Sequence, residues 1–296
     1  MTERAKQLVI VRGGGDIATG TIHRLYRCGY PVLVLESGYP SAIRRCVAFS
    51  EAVYDGTSEV EGITCIKASG YEEACAIMEQ GAVPVMIDEN CAVLEKVRPW
   101  ALVDAILAKK NLGTTRDMAD KTIGLGPGFT AGQDVDLVIE TMRGHNLGRI
   151  IGNGSAAPNT GIPGVIGGYG AERVIHAPAK GIFFGKALIG DMVEQGQAIG
   201  VIVTGQGEVT VEASLTGLLR GIIKDGYPVV KGFKIADIDP RKSEYENCFT
   251  ISDKARCIAG SVVEGLQMLE VKQVNLHLRS QLIKGLLFLQ HHLHHL

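Results

Sequence analysis

The sequence contains no C-x-x-C pair. Its seven cysteines, at 28, 46, 65, 75, 91, 248 and 257, are odd in number and dispersed. That pattern suits reduced thiols and excludes a disulfide frame or a zinc site, so no metal centre is expected. An excess of one charge sign is also missing. Thirty Lys and Arg stand against 32 Asp and Glu, a net charge of -2, which argues against a basic face for nucleic acid. No apolar run approaches the roughly 18 residues of a membrane span. The first residues, Met1-Thr2-Glu3-Arg4, lack the apolar stretch of a secretory leader. These absences predict a cytoplasmic protein with neither a membrane nor a nucleic-acid partner.

What the chain has in quantity is glycine, 38 residues among 296. The length allows two domains with a sizeable core. The first glycine cluster follows a buried-strand pattern, Leu8-Val9-Ile10-Val11, and precedes a helical one with Ile17, Ile22, Leu25 and Tyr26 on one face. Gly13, Gly15 and Ala18 fit the Ala-ending form of the dinucleotide fingerprint, in which backbone N–H groups and a helix N-terminus receive an anion. Gly14 and Asp16 complete that loop. Glu36 closes the next predicted strand, about 20 residues on, where an acid accepts hydrogen bonds from a ribose. Arg44 and Arg45 follow, placed to pair with a phosphate or, as the preferred reading, in a solvated loop.

Strand and helix signals then alternate. Residues 63–66, 83–88 and 122–125 read as strands, and 71–80 and 99–110 as helices, the second carrying Leu102, Ile106 and Leu107 on its apolar side. Such alternation predicts a parallel sheet covered by helices, with ligands outside the carboxyl ends of its strands. Asp88 and the 126–132 loop fall on that edge. Gly126, Gly128, Phe129 and Thr130 are therefore candidate ligand contacts, with a sterically demanding crossing as the competing reading. Residues 134–151 read as a hairpin with a polar turn. His145 in that turn is either a general acid or base or a surface residue. Cys65 reads as a core cysteine in preference to a sulfur or selenium carrier.

Seven glycines, Pro158 and Pro163 between 152 and 170 mark a linker. Beyond it, residues 177–202 align with 213–238 at an offset of 36. Eight of 26 positions are identical, four of them turn glycines. This internal duplication resembles the two halves of a biotinyl or lipoyl carrier domain. The junction, Val203-Thr204-Gly205-Gln206-Gly207-Glu208-Val209-Thr210, lacks the lysine that such a carrier modifies. Ser252 then caps a predicted helix with Ala255, Ile258, Val262 and Leu266 as its buried stripe. The last stretch gathers five of the eight histidines and reads as tail.

The expected organisation is α/β. A Rossmann-like parallel-sheet domain (1–151) leads through a Gly-rich linker (152–172) to a small all-β barrel-sandwich hybrid of the biotinyl/lipoyl type (173–240). A C-terminal helical segment (241–270) and a non-native or disordered tail (271–296) follow.

The stretches VIVRGGGDIATGTIHRLYRCGYPVLVLE, GLGPGFTAGQDVDLVIETMRGHNLGRII, NTGIPG, LLRGIIKDGYPVVKGFKIADIDPR and ISDKARCIAG together resemble the YqeB family, accessory proteins of the selenium-dependent molybdenum hydroxylase system. The resemblance runs from about residue 6 to 270. In outline the chain is also similar to maturation factors of the XdhC type. The resemblance implies maturation of a molybdenum hydroxylase partner such as xanthine dehydrogenase. The cofactor would be a molybdopterin-type molecule or NAD(P). It implies no catalytic residues and leaves a homo-oligomer open. Two other readings fit the residues: an NAD(P)-dependent oxidoreductase, although no His or Lys–Tyr hydride-transfer set is evident, and a non-catalytic scaffold for hydroxylase assembly.

Overall fold

The computed structural model describes residues 6–161 and 164–293. Ile162 and Pro163 of the expected linker lie outside the described residues, as do 1–5 and the last residues of the tail, 294–296.

Val9–Arg12 (β1) is buried along its whole length. Around it stand Val32–Glu36 (β2), Thr57–Val60 (β3), Ile63–Ala68 (β4), Val83–Ile87 (β5), Ala101–Asp104 (β6), Thr122–Leu125 (β7), Leu137–Ile139 (β9) and Ile150–Ile151 (β10), all in one sheet; the short Thr130–Ala131 (β8) lies apart. The sheet has nine strands in the order β10-β9-β7-β6-β1-β2-β5-β4-β3. Its interior pairs are parallel. Both margins are antiparallel, β3 against β4 and β10 against β9. The expected parallel Rossmann-like sheet is therefore corrected to a large mixed sheet. The reason is local: Gly62 (φ +78°) and the 142–149 turn are too short for a helical crossover, so each reverses the chain into a hairpin.

Residues alternate between the two faces of the sheet. Val9 and Val11 pack with Ile17, Ile22 and Leu25 of Asp16–Arg27 (α1) and with Ile258, Val262 and Leu266 of Asp253–Leu293 (α4). Ile10 and Leu102 face the other way, toward Ala74 and Ile77 of Tyr71–Glu79 (α3, following the single turn Ala52–Asp55, α2). Helix α1 approaches α4 closely because Gly20 has no side chain: a Cβ there would stand 2.8 Å from the Cβ of Ala255. Ser252 caps α4 as expected, its Oγ accepting from the Ala255 N–H at 3.2 Å.

One element differs in kind from its sequence pattern. Residues 99–110 carry a helical pattern, but Ala101–Asp104 is β6, pairing with β1 on one side and β7 on the other. A short apolar run does not distinguish a buried strand from a helix segment. Leu107 and Lys109 at positive φ then end any regular run.

The second domain holds Val174–His176 (β12), Gly181–Gly185 (β13), Met192–Val193 (β14), Ala198–Thr204 (β15), Gly207–Glu212 (β16), Gly217–Ile222 (β17), Pro228–Val229 (β18) and Lys234–Asp239 (β19); Gly154–Ser155 (β11) before them pairs with β8. The biotinyl/lipoyl-like barrel is corrected here: the strands make two open four-stranded antiparallel sheets, β12-β19-β17-β14 and β16-β15-β13-β18. Each repeat lends its two-residue strand to the other repeat's sheet. Met192 and Val193 pair with Leu218 and Gly217, and Pro228 and Val229 pair with Ile182 and Gly181. The ladders thus end on edge strands and do not close.

The duplication itself is visible in the steric role of its glycines. A Cβ on Gly181 would meet the Val203 carbonyl oxygen at 2.3 Å, and one on Gly217 would meet that of Asp239 at 2.4 Å. Those partners are also 36 residues apart.

Candidate functional site

The chain order reverses at β1: β2 lies on one side of it and β6 on the other. Carboxyl ends at such a switch point leave a crevice. A cavity of about 1050 Å³ opens there, at the upper end of the range for small-molecule sites. Its floor comes from the ends of β1, β2, β5 and β6, including Gly13, Glu36, Asp88 and Ala105. Its roof is the second domain and the start of α4, with Arg220, Asp237, Ser252 and Lys254.

The three loop glycines have separate roles. Gly13 takes φ +95°, donates its N–H to the Leu35 carbonyl at 2.7 Å, and lies where a Cβ would be 3.0 Å from the Ala105 oxygen. Gly14 donates to Glu36 Oε2 at 2.7 Å, and its carbonyl accepts from Ser50 N–H at 2.8 Å and Thr19 Oγ1 at 3.1 Å. Gly15, the N-cap of α1, has an ordinary extended conformation (φ -66°, ψ -179°), and a Cβ there would have no atom within 4 Å. Gly13 and Gly14 therefore hold the turn together, while Gly15 and the first turn of α1 line the cavity with Asp16 and Ala18.

Glu36 does more than end a strand. Its Oε1 accepts from the Ser37 N–H and its Oε2 from the Gly14 N–H, both at 2.7 Å. Burial pushes this carboxyl above the usual glutamate range, against those two hydrogen bonds. Asp88 uses both oxygens on the N–H groups of Ala92 and Val93. Asp16 bonds its own helix through Ile17 N–H at 2.8 Å and pairs with Arg44 at 3.3 Å.

Gly126, Gly128, Phe129 and Thr130 do not join this site. A Cβ on Gly126 would meet Thr141 Oγ1 at 2.6 Å, and one on Gly128 would meet the Lys110 backbone at 2.6 Å. Phe129 is buried with Ala131, Val135, Val138 and Ala156, and the Thr130 N–H donates to Asp134. That loop is a packed crossing. His145 is exposed in its turn and does not line the cavity. Cys65 is fully buried, and burial raises its thiol pKa. Among the described residues no cluster of three or more His, Cys, Asp or Glu could hold a metal ion.

Of the basic residues, sequence reading singles out Arg44 and Arg45, preferring a solvated loop for them, and misses Arg12, Arg220 and Lys254. Arg44 is buried, not solvated; its Nη2 donates to the Asn247 and Thr250 carbonyls at 3.0 and 3.1 Å. Arg12 reaches from β1 to Thr114 and Asp104. Arg220 and Lys254 come from distant parts of the chain: the packing of α4 on α1 places Lys254 at the cavity, and the closure of the second domain onto the first brings Arg220 there. Ile43 accepts a backbone bond from Ile222 at 2.8 Å, and Arg45 donates to the Ile222 carbonyl at 2.9 Å. Gly221 permits this seam, since a Cβ there would be 2.8 Å from the Ile43 oxygen. The aligned glycine of the first repeat, Gly185, has only the Asp225 side chain and atoms of its own repeat nearby.

Fold and cavity together define a two-domain α/β protein with a ligand-sized chamber between a mixed sheet and a duplicated β domain. The uncharacterized protein YqeB of Escherichia coli (strain K12) is 51% identical over 263 residues, covering 89% of this chain and 48% of that protein. The chain is similar to YqeB over this region, and it spans about half the length of that curated relative. No family model matches the chain.

Solved structures similar to it include the apo ectoine utilization protein EutE (DoeB) from Ruegeria pomeroyi, at 11% identity and TM-score 0.25 over 79% of this chain and 86% of that one. A succinylglutamatedesuccinylase/aspartoacylase from Rhodobacter sphaeroides gives 11% and 0.27 over 80% and 86%. An aspartoacylase family protein from Mesorhizobium loti gives 10% and 0.28 over 79% and 85%. At such identities and TM-scores neither a fold nor an activity follows for this chain. Among the described residues no helix is long and apolar enough to cross a membrane.

Proposed function

We propose that this protein binds a nucleotide-type cofactor, NAD(P) or a molybdopterin-type molecule, in the interdomain cavity and serves in the maturation of a molybdenum hydroxylase. The observation that carries the binding half is the chamber itself. It is about 1050 Å³ at a topological switch point, with the open N-terminus of α1 at Gly15 and a half-buried carboxylate at Glu36 on its floor. Glu36 keeps lone pairs free beyond its two backbone bonds, so it can accept from ribose or pterin donors. No His, Tyr or Cys is among the lining residues described, which favours holding a cofactor over moving a hydride.

The maturation half rests on the similarity to YqeB and on the resemblance to that family carried by the sequence stretches above. Ile182 and Val203 are cross-strand partners, and Phe184 lies two residues from Ile182 on the same face. All three are exposed, and this patch offers the hydroxylase an apolar docking surface.

Deleting the gene in a selenium-using host is expected to lower molybdenum hydroxylase activity and the cofactor content of that enzyme together, with recovery on re-expression of the wild-type chain. Unchanged activity with unchanged cofactor content would sink the maturation role.

A further inference from the structure

The charges around the cavity can be paired off. Asp16 has Arg44 at 3.3 Å, Asp253 has Arg143 in a two-pronged contact at 2.7 and 2.9 Å, Asp237 has Arg173 at 3.0 Å, and Asp239 has Arg241 at 2.7 Å. Two cations of the roof are left over. Arg220 on β17 and Lys254 in the first turn of α4 line the cavity half-buried, and their side chains make no hydrogen bond or close ion pair among the described residues, although the charge of Arg220 also acts on Asp239 and Asp253. Arg220 Nε is buried without a partner, as is Nε of Arg44, a residue only 7% exposed. Lys234 also lines this side but is exposed and solvated. A half-buried cation without a close partner keeps part of its desolvation cost until something of opposite charge joins it. The floor differs: its acids, Glu36, Asp88 and Glu89, face no paired cation and accept backbone N–H bonds.

We infer that Arg220 and Lys254 are the oxyanion-binding end of the cavity. A ligand there presents a phosphate or carboxylate to the second domain and α4, and its hydrogen-bond donors to Glu36 and Asp88 on the sheet. This rests on the cavity being a ligand site, and it gives that site a direction. The Gly13 and Gly14 N–H groups are already engaged by Leu35 and Glu36, and the Asp16 carboxylate stands at the start of α1, so the roof cations, not the loop alone, supply the charge that holds the anion. The occupied site is completed only by both domains, so binding strengthens their contact.

Burial holds the Lys254 ammonium below the ordinary lysine range. Nearby Arg143 adds to this, and Asp16, Glu140 and Asp253 oppose it. An arriving oxyanion favours the charged form, so binding takes up protons when the pH lies near the Lys254 pKa.

The test is calorimetric titration of the full-length chain with AMP, adenosine and inorganic pyrophosphate, using wild type, Arg220→Gln, Lys254→Gln and the double variant. AMP and pyrophosphate should bind about tenfold more weakly to each single variant and weaker still to the double, while adenosine binding stays unchanged. Melting temperatures without ligand should be equal to wild type or higher, because a half-buried charge without a close partner has been removed. Equal AMP and pyrophosphate affinity in wild type and the double variant overturns the inference. So does a wild-type chain that binds neither at millimolar concentration.

The two readings fail separately. If AMP binding is lost on Gly15→Val but kept in the double variant, the cavity is a nucleotide site without this anion end. If pyrophosphate binding is lost in the double variant while AMP and adenosine are ignored, the anion end stands and the nucleotide reading falls.

Discussion

Replacing Arg12 by methionine is expected to remove about 3–5 kcal/mol of unfolding free energy. Arg12 and Asp104 are register partners at the carboxyl ends of β1 and β6, 4% and 1% exposed. Arg12 Nη1 donates to Thr114 Oγ1 at 2.6 Å and reaches Asp104 Oδ2 at 3.4 Å. Thr114 Oγ1 in turn donates to Asp104 Oδ2 at 2.6 Å. Nη2 donates to the Glu89 carbonyl at 2.9 Å, and both Nη atoms reach the Leu112 carbonyl. Without Arg12, the carboxylate of Asp104 stays in the sheet with only Thr114 and the Ile106 N–H for company.

Burial already holds Asp104 above the usual aspartate range, with Thr114, Ile106 and Arg12 pulling the other way. Losing Arg12 raises it further. A carboxyl raised in the folded state is stabilising in its protonated form, and that contribution is lost as pH rises through the folded value. The penalty of Arg12→Met therefore shrinks on acidification and grows toward neutral pH. Urea unfolding of Arg12→Met, Asp104→Leu and the double variant, at pH 5 and pH 7.5, measures it. The double variant should recover much of the loss. Additive costs would mean the pair is not coupled.

Gly15→Val is expected to weaken cofactor binding by about hundredfold or more, about 2.7 kcal/mol, with little change in stability. Gly15 has a φ/ψ that valine adopts freely, and the space at its Cβ is open cavity. The new side chain enters the volume the ligand needs and crowds the first turn of α1. Gly14→Val is the contrast. Its Cβ would stand 2.9 Å from the Ser50 backbone nitrogen, so it should lower the melting temperature before any effect on binding is read. A Gly15→Val chain that melts early, or binds as wild type does, would place the ligand elsewhere.

How much of this is legible in the sequence varies with the range of the interactions involved. The β1–loop–α1 unit is local, and its Gly13 and Gly15 spacing already describes a turn that the backbone follows. Glu36 is legible for the same reason, being one strand away. The glycines of 126–132 carry an equal signal and mean something else, because Phe129 packs onto Gly124 and the tight approaches are to Thr141 and Lys110. Glycine marks close approach without saying to what.

The mixed sheet escapes the pattern because alternating helix and strand runs imply crossovers, whereas β3 and β10 return by short turns. The 36-residue offset locates the repeat correctly, but it cannot show that strands are exchanged between copies into two open sheets. Arg44, Arg220 and Lys254 carry no motif. Arg220 depends on Ile43 meeting Ile222 across the domain seam, Arg44 on the Asn247 and Thr250 carbonyls, and Lys254 on α4 packing against α1, contacts of long sequence separation that no local pattern encodes.

The most direct measurement is the identity of the small molecules that leave with the protein. Native mass spectrometry of the full-length chain purified from its host, followed by denaturation and analysis of what is released, should yield a molecule with a phosphate-bearing nucleotide or pterin part. The amount should approach one per chain for wild type, and the molecule should be absent from Gly15→Val. A wild-type chain that releases nothing of this kind, and gains nothing when incubated with NAD, NADP or a molybdopterin extract, would contradict a cofactor chamber between the two domains.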